Sequence, residues 1–146
     1  MKSIKTYKLK LVLNDAQHQD LLDLINIYTD CYNYLVKQCI SNNIKSKFDL
    51  HHDEYYNIRN TFKLSSQQAI TCIAVAFESV KSWRSWCLET KRPLKIPMSK
   101  MQSIRMDWQL FTLHHNQLSL KGSTNRILCD YQCRSDMILP NEYQVG

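Results

Sequence analysis

Glycine and proline are scarce in this chain of 146 residues, which has two glycines (Gly122 and Gly146) and three prolines (Pro93, Pro97 and Pro140). A loop that cradles phosphates needs several glycines close together, so P-loop and dinucleotide-binding classes are excluded. No apolar run approaches the ~18 residues of a membrane span. The basic start, Met1 to Lys10, has no apolar core of the kind an export signal carries. The expectation is a cytoplasmic chain with no membrane partner. No Ser or Cys stands in a nucleophile-elbow context, and no carboxylate pair is bracketed by strand patterns that would place two metals. A binding module without a cofactor is therefore expected rather than an enzyme.

The six cysteines are Cys31, Cys39, Cys72, Cys87, Cys129 and Cys133. Without an export signal they read as reduced thiols, the first four on apolar faces of helices. Cys129 and Cys133 form the only close pair, and the nearby His114 and His115 are adjacent in sequence. Zinc sites pair a C-x2-4-C with an H-x3-5-H, so this set fits structural thiols better than a metal site. Asp49, Asp53 and Glu54 flank His51 and His52. Acids at a helix start are favoured by the helix dipole, so this cluster reads as capping.

What the chain does have is positive charge, unevenly placed. Lys and Arg number 19 against 13 Asp and Glu, a formal charge of +6. Residues 1–10 carry four lysines and no acid. Residues 81–105 carry seven basic groups (Lys81, Arg84, Lys91, Arg92, Lys95, Lys100 and Arg105) with one acid, Glu89. Residues 15–60 reverse the balance, with seven acids and four basic residues. Two basic stretches far apart in sequence suggest a phosphate-facing surface, and Trp83, Trp86 and Trp108 within and beyond the second add stacking surfaces.

Periodicity gives the elements. Tyr7, Leu9, Leu11 and Leu13 alternate with Thr6, Lys8, Lys10 and Val12, a strand over residues 4–13 with one apolar and one largely basic face. Asn14 with Gln17 makes a capping box, and the apolar set from Leu21 to Cys39 steps by three and four as one long helix to about Ile40. Tyr28, Tyr32 and Tyr34 on it read as core. A polar link leads to a shorter helix over 51–61. Ser65 with Gln68 caps a third helix, with Ala69, Ile70, Ile73, Ala76, Phe77, Val80 and Trp83 inward, ending near Thr90 before Pro93. Beyond Pro97 the period changes to two. Ile104, Met106, Trp108 and Leu110 alternate, a turn at 114–117 leads to Leu118–Leu120, and Ile127–Tyr131 follows. The expected fold is α+β, a small antiparallel β-barrel with a three-helix bundle inserted after its first strand. The expected segments are 1–13 (first strand), 14–92 (helical insert) and 93–146 (remaining strands).

Several strings, in this order, resemble the opening of the TnpB family, transposon-encoded RNA-guided nucleases related to miniature type V CRISPR effectors. Lys5 to Gln17 reads K-x-Y-K-L-K-L-x-L-N-x-x-Q, and Cys31 to Val36 reads C-Y-N-Y-L-V. Leu64 to Ala69 resembles the family's L-P-S-Q-x-A helix start, with Ser65 in place of proline. Ala76 to Trp83 resembles its A-F-K-x-F-F segment, and Asn116 to Leu120 resembles its G-x-R-L-x-L hairpin. Arg92 to Pro97 stands where the family has P-x-F-x-x-K.

The resemblance covers residues 4–130 and implies the family's nucleic-acid-binding half, a wedge-like barrel with a helical recognition insert. The family's nuclease half, with its catalytic carboxylates, would begin after residue 146. The implied partners are a guide RNA, a double-stranded DNA target and a nuclease domain or subunit in trans. By position, Lys63 and Gln67 fall where the family contacts the short motif flanking its DNA target, with His51 and Tyr55 near further contacts. A Gln amide suits an adenine edge, and a Lys suits phosphate or a base acceptor. Asp107 stands where the family has a small polar contact residue. Lys5, Lys8, Lys10, Arg92, Lys95, Lys100 and Arg105 are expected on RNA phosphate. Two other readings stand beside this one: a helix-turn-helix DNA regulator reading with its second and third helices, and a protein adaptor whose basic face is incidental.

Overall fold

The structure, a computed structural model, describes residue 4 and residues 6–133. Lys5 and the closing stretch Asn141 to Gly146 lie outside the described residues. The elements run β1 (Leu9–Val12), α1 (Asp15–Ser41), α2 (Lys47–Phe62), α3 (Ser66–Thr90), β2 (Phe111–Leu113), β3 (Gln117–Lys121) and β4 (Arg126–Cys133). They fall into two compact units. One holds the described residues up to Leu21 and from Asp107 onward; the other is Leu22–Met106.

In the helical unit, Leu24, Tyr28, Leu35 and Val36 of α1, Leu50 and Ile58 of α2, and Ala69, Cys72, Ile73, Ala76 and Val80 of α3 form one buried cluster. The spacings within each set are one, three, four, seven or eight residues, which puts each set on one helix face. The polar groups drawn inside are paired. The Tyr28 and Thr71 hydroxyls lie 3.2 Å apart, and the Cys72 thiol donates to the Tyr28 carbonyl at 3.8 Å. Desolvation pushes the Tyr28 phenol well above its ordinary pKa.

Local signals set the helix ends. The capping box of α3 is complete: the Ser65 hydroxyl accepts from the Gln68 amide N–H at 3.3 Å, and the Gln68 side chain accepts from the Ser65 N–H at 3.0 Å. Asn14 and Gln17 do the same at the start of α1, at 2.8 and 3.1 Å. Both α2 and α3 end on a lysine in the left-handed conformation, Lys63 (φ 58°) and Lys91 (φ 55°). α2 begins four residues earlier than the period suggests, because the Ser46 hydroxyl accepts from the Asp49 N–H at 3.1 Å and supplies the cap. Asp53 and Glu54 therefore lie inside the helix, away from its start. Glu54 is not a capping acid but a buried acceptor, held by the Tyr34 hydroxyl at 2.9 Å and the Asn57 side-chain amide at 3.0 Å.

The other unit carries a four-stranded antiparallel sheet in the order β1-β4-β3-β2. The register pairs Leu11 with Tyr131, Leu118 with Cys129, and Phe111 with Leu120. Leu9, Leu11, Ile127, Cys129, Leu118 and Leu120 thereby share one face, while Lys10, Val12, Leu128 and Arg126 take the other. Arg126 ties that second face together, donating to Ser119 at 2.7 Å and Thr112 at 3.3 Å. Asp20, early in α1, accepts from the Ser123 N–H at 2.7 Å and from its hydroxyl, fixing the β3–β4 turn. Gly122 sits so close to this junction that a Cβ there would stand 2.6 Å from the Asp20 carboxylate and 2.8 Å from the Asn125 carbonyl.

The expected barrel is not formed: the sheet is open among the described residues. The reason lies in residues 94–106, which belong to the helical unit although Ile104 and Met106 share the alternation of Trp108 and Leu110. Their backbone groups are taken by helix side chains. Trp83 Nε1 donates to Leu94 O at 3.1 Å, Tyr32 Oη to Pro97 O at 3.2 Å, and Asn33 exchanges two bonds with Ser99 at 2.8 and 2.9 Å. The Gln102 N–H reaches Thr29 Oγ1 at 2.8 Å. Ile104 and Met106 pack on the helical core. With these N–H and C=O groups taken, the segment has no continuous ladder to offer a sheet. No helix among the described residues is long and apolar enough to cross a membrane.

Candidate nucleic-acid interface

The C-terminal half of α3 and the 94–105 strap enclose an open groove of about 540 Å³. Trp83, Trp86, Ser82 and Glu78 line it from the helix, and Lys95 and Arg105 from the strap. The four helical residues recur at i, i+4, i+5 and i+8, which makes them one stripe. Trp83 is half-buried and fixed by its bond to Leu94. Trp86 is 62% exposed and presents an indole to solvent. Lys95 stands exposed beside it. Arg105 is held by Glu78 in a bidentate pair, at 2.9 and 2.8 Å. That pairing holds the Glu78 carboxyl below its ordinary range, although partial burial opposes the shift. An exposed indole in a groove that also presents a free lysine is an arrangement on which a nucleic-acid base can stack while a phosphate is neutralised.

The other expected phosphate contacts scatter more widely. Arg92 and Lys100 are exposed on the strap, outside the groove lining. Lys8 and Lys10 are exposed in the sheet unit, Lys10 opposite Gln132.

The four residues expected at DNA fall on α2 and the start of α3. His51 and Tyr55 stack with ring centroids 4.7 Å apart and planes at 12°. The Arg59 guanidinium lies 5.7 Å from the Tyr55 ring centre. Four residues on, Lys63 closes α2. His51, Tyr55, Arg59 and Lys63 thus follow one helical stripe, a basic-aromatic ladder. Arg59 was not singled out from sequence, although its i+4 spacing from Tyr55 carried the signal. Gln67 is half-buried in the first turn of α3, where it is engaged by neighbouring groups. Asp107 is also half-buried, and its carboxylate accepts from the Gln109 N–H at 3.0 Å.

Arg84, counted with the basic run, turns inward. Its guanidinium donates to the carbonyls of Ile44 and Cys39 (3.2 Å to the latter) and closes the C-terminus of α1.

Among the described residues no group of three or more His, Cys, Asp or Glu is arranged to hold a metal ion. Cys129 and Cys133 share a face of β4 but stand ~13 Å apart along an extended strand, too far for one zinc. Burial, then the neighbouring Asp130, pushes the Cys129 thiol up, away from the thiolate that ligation needs.

No protein-family model matches this chain, and no curated protein or solved structure matches it. The resemblance to the TnpB opening therefore stands on the quoted strings alone.

Proposed function

We propose that this chain is a nucleic-acid-binding module of TnpB-like type. In this reading it holds the scaffold of a guide RNA and reads the short motif flanking a double-stranded DNA target. Cleavage belongs to a nuclease domain or subunit outside these residues, which themselves contribute recognition. The observation that carries the reading is the α3–strap groove, which the exposed Trp86 lines together with Lys95 and the Arg105–Glu78 pair. The groove offers stacking and phosphate neutralisation together, which suits single-stranded or looped RNA better than a regular duplex. His51, Tyr55, Lys63 and Gln67, with Arg59 on the same stripe as the first three, supply the surface proposed for DNA.

A helix-turn-helix reading draws support from one feature: α2 and α3 are joined by only Lys63, Leu64 and Ser65. Indole fluorescence separates the two. Wild-type chain and a Trp86→Phe variant are titrated with a looped RNA and with duplex DNA. Quenching by RNA that is lost in the variant supports the groove. Quenching by neither ligand sinks it, and duplex binding undisturbed by the variant transfers the function to the α2–α3 pair.

A further inference from the structure

On the opposite flank of α3 from the tryptophan groove lies a second cleft of about 430 Å³, between that helix and the start of α2. Lys81 and Ser85 line it from α3, and Lys45, Ser46 and Lys47 from the α2 start. Arg84 also faces it, but its guanidinium is committed to the Ile44 and Cys39 carbonyls. That commitment anchors the chain just before Lys45 and gives the cleft a fixed wall.

The three lysines are exposed, and none is in a salt bridge among the described residues. Glu78 has both carboxylate oxygens on Arg105, and Lys47 adds a weaker, longer-range attraction to it. Asp49, the acid of the first α2 turn, does not line the cleft. The Lys47 amide belongs to the first turn of α2, where N–H groups have no acceptor within the helix. Phe77 and Leu88 complete the lining with apolar surface. Three exposed ammonium groups, none in a salt bridge among the described residues, and a hydroxyl from Ser85 beside a helix start together suit a phosphate group.

Glu78, Ser82, Ser85 and Glu89 follow the exposed ridge of α3 between the two clefts, all four open to solvent. At its centre are two serines, the small side chains over which a strand can pass. The helix is ~10 Å across, so the two clefts are within reach of one short stretch of nucleic acid. The geometry points to a phosphodiester site: Lys45, Lys47 and Lys81 hold a backbone phosphate of the strand whose base stacks on Trp86, and the strand crosses α3 at Ser82 and Ser85. This inference rests on the nucleic-acid reading above and extends its contact surface to residues outside the expected set.

The test has two arms, both on the full chain. In the first, inorganic phosphate is titrated into 15N-labelled protein. Saturable shifts are expected at the amides of Lys45, Ser46, Lys47 and Ser85. They should vanish in the Lys47→Ala, Lys81→Ala double variant and persist in Lys47→Arg, Lys81→Arg. Absence of these shifts, or shifts unchanged in the alanine variant, overturns the phosphate site. In the second arm, RNA affinity is followed against salt. Losing the one phosphate these lysines hold should make the slope shallower by about 0.7, while Trp86→Ala should weaken binding without changing the slope. Phosphate shifts with an unchanged RNA slope mean a site for free phosphate and overturn the crossing strand. If wild-type chain binds no RNA, the nucleic-acid reading fails, and the first arm still decides whether the cleft takes phosphate.

Discussion

Arg105 and Glu78 face each other across 27 residues of sequence in a bidentate pair, 2.9 and 2.8 Å between nitrogen and oxygen. Both side chains are about half exposed, so the pair adds less than about 1 kcal/mol to stability. Its larger effect is on charge. It neutralises one of the two cations that line the groove and leaves Lys95 to act alone. A Glu78→Gln substitution should therefore release Arg105 toward a ligand. RNA affinity should rise, and its salt slope should steepen by about 0.7, one single-strand phosphate. Parallel titrations of the two proteins between 50 and 200 mM salt read this directly; an unchanged slope removes Arg105 from the interface.

Trp86 is the side chain the groove spends on contact instead of packing. Trp86→Ala should cost about 1–3 kcal/mol of RNA affinity, the usual worth of one stacked base. Thermal stability should move little, because the indole is mostly in solvent. Trp83→Ala should behave differently, since its ring packs on the helical core and its N–H holds Leu94. There the melting temperature falls along with affinity. Differential scanning fluorimetry beside the binding titration tells the two cases apart.

Gly122 should not tolerate even a methyl group. The Cβ of an alanine would overlap the Asp20 carboxylate and the Asn125 carbonyl, and the latter is backbone that cannot swing away. Gly122→Ala is expected to destabilise the sheet unit by roughly 1–3 kcal/mol, the range for overpacked sites. Hydrogen exchange should rise at residues 117–133 and stay close to wild type in α2 and α3; uniform protection throughout contradicts this.

Acid should loosen the same junction. Partial burial pushes the Asp20 carboxyl up, yet its bonds from the Ser123 hydroxyl and from the Ser123, Thr124 and Asn125 amides outweigh it, and the group ends below its ordinary value. A carboxyl with a depressed folded pKa contributes stability that is present above its unfolded value. That stability is lost as pH falls through the folded one. Stability should therefore decline below about pH 4, and Asp20→Asn should flatten this decline while lowering stability at neutral pH. An acid limb of equal steepness in both proteins assigns it to other carboxyls.

Much of the helical unit is legible from sequence because its signals are local. Ser65 and Gln68 announce α3 as a capping box, and the three- and four-residue steps of α1 name its buried face. Ser46 and Asp49 carried a similar start signal for α2, an S-x-x-D string, which the longer polar link around it concealed. The strap was not legible. Ile104, Met106, Trp108 and Leu110 alternate as a strand would, and period alone cannot tell a ladder from a segment whose carbonyls are claimed by Tyr32, Asn33 and Trp83 more than ten residues away. The same holds for the interface. Lys95 and Trp86 were visible as basic-aromatic sequence, but the Glu78 pairing and the inward turn of Arg84 depend on packing. Lys45 and Lys47, in a segment of acidic balance, gave no sign of facing Lys81.

The measurement that tests the account most directly is a filter-binding titration of the purified chain from ~50 to ~200 mM salt. Structured RNA recovered from host cells is compared with duplex DNA, with a Lys95→Glu, Lys100→Glu double variant alongside. The account predicts that a defined RNA binds more tightly than DNA, with a steep salt slope, and that the double variant loses it. Retention of RNA by the variant, preference for duplex DNA, or no binding of either ligand at the higher salt would contradict it.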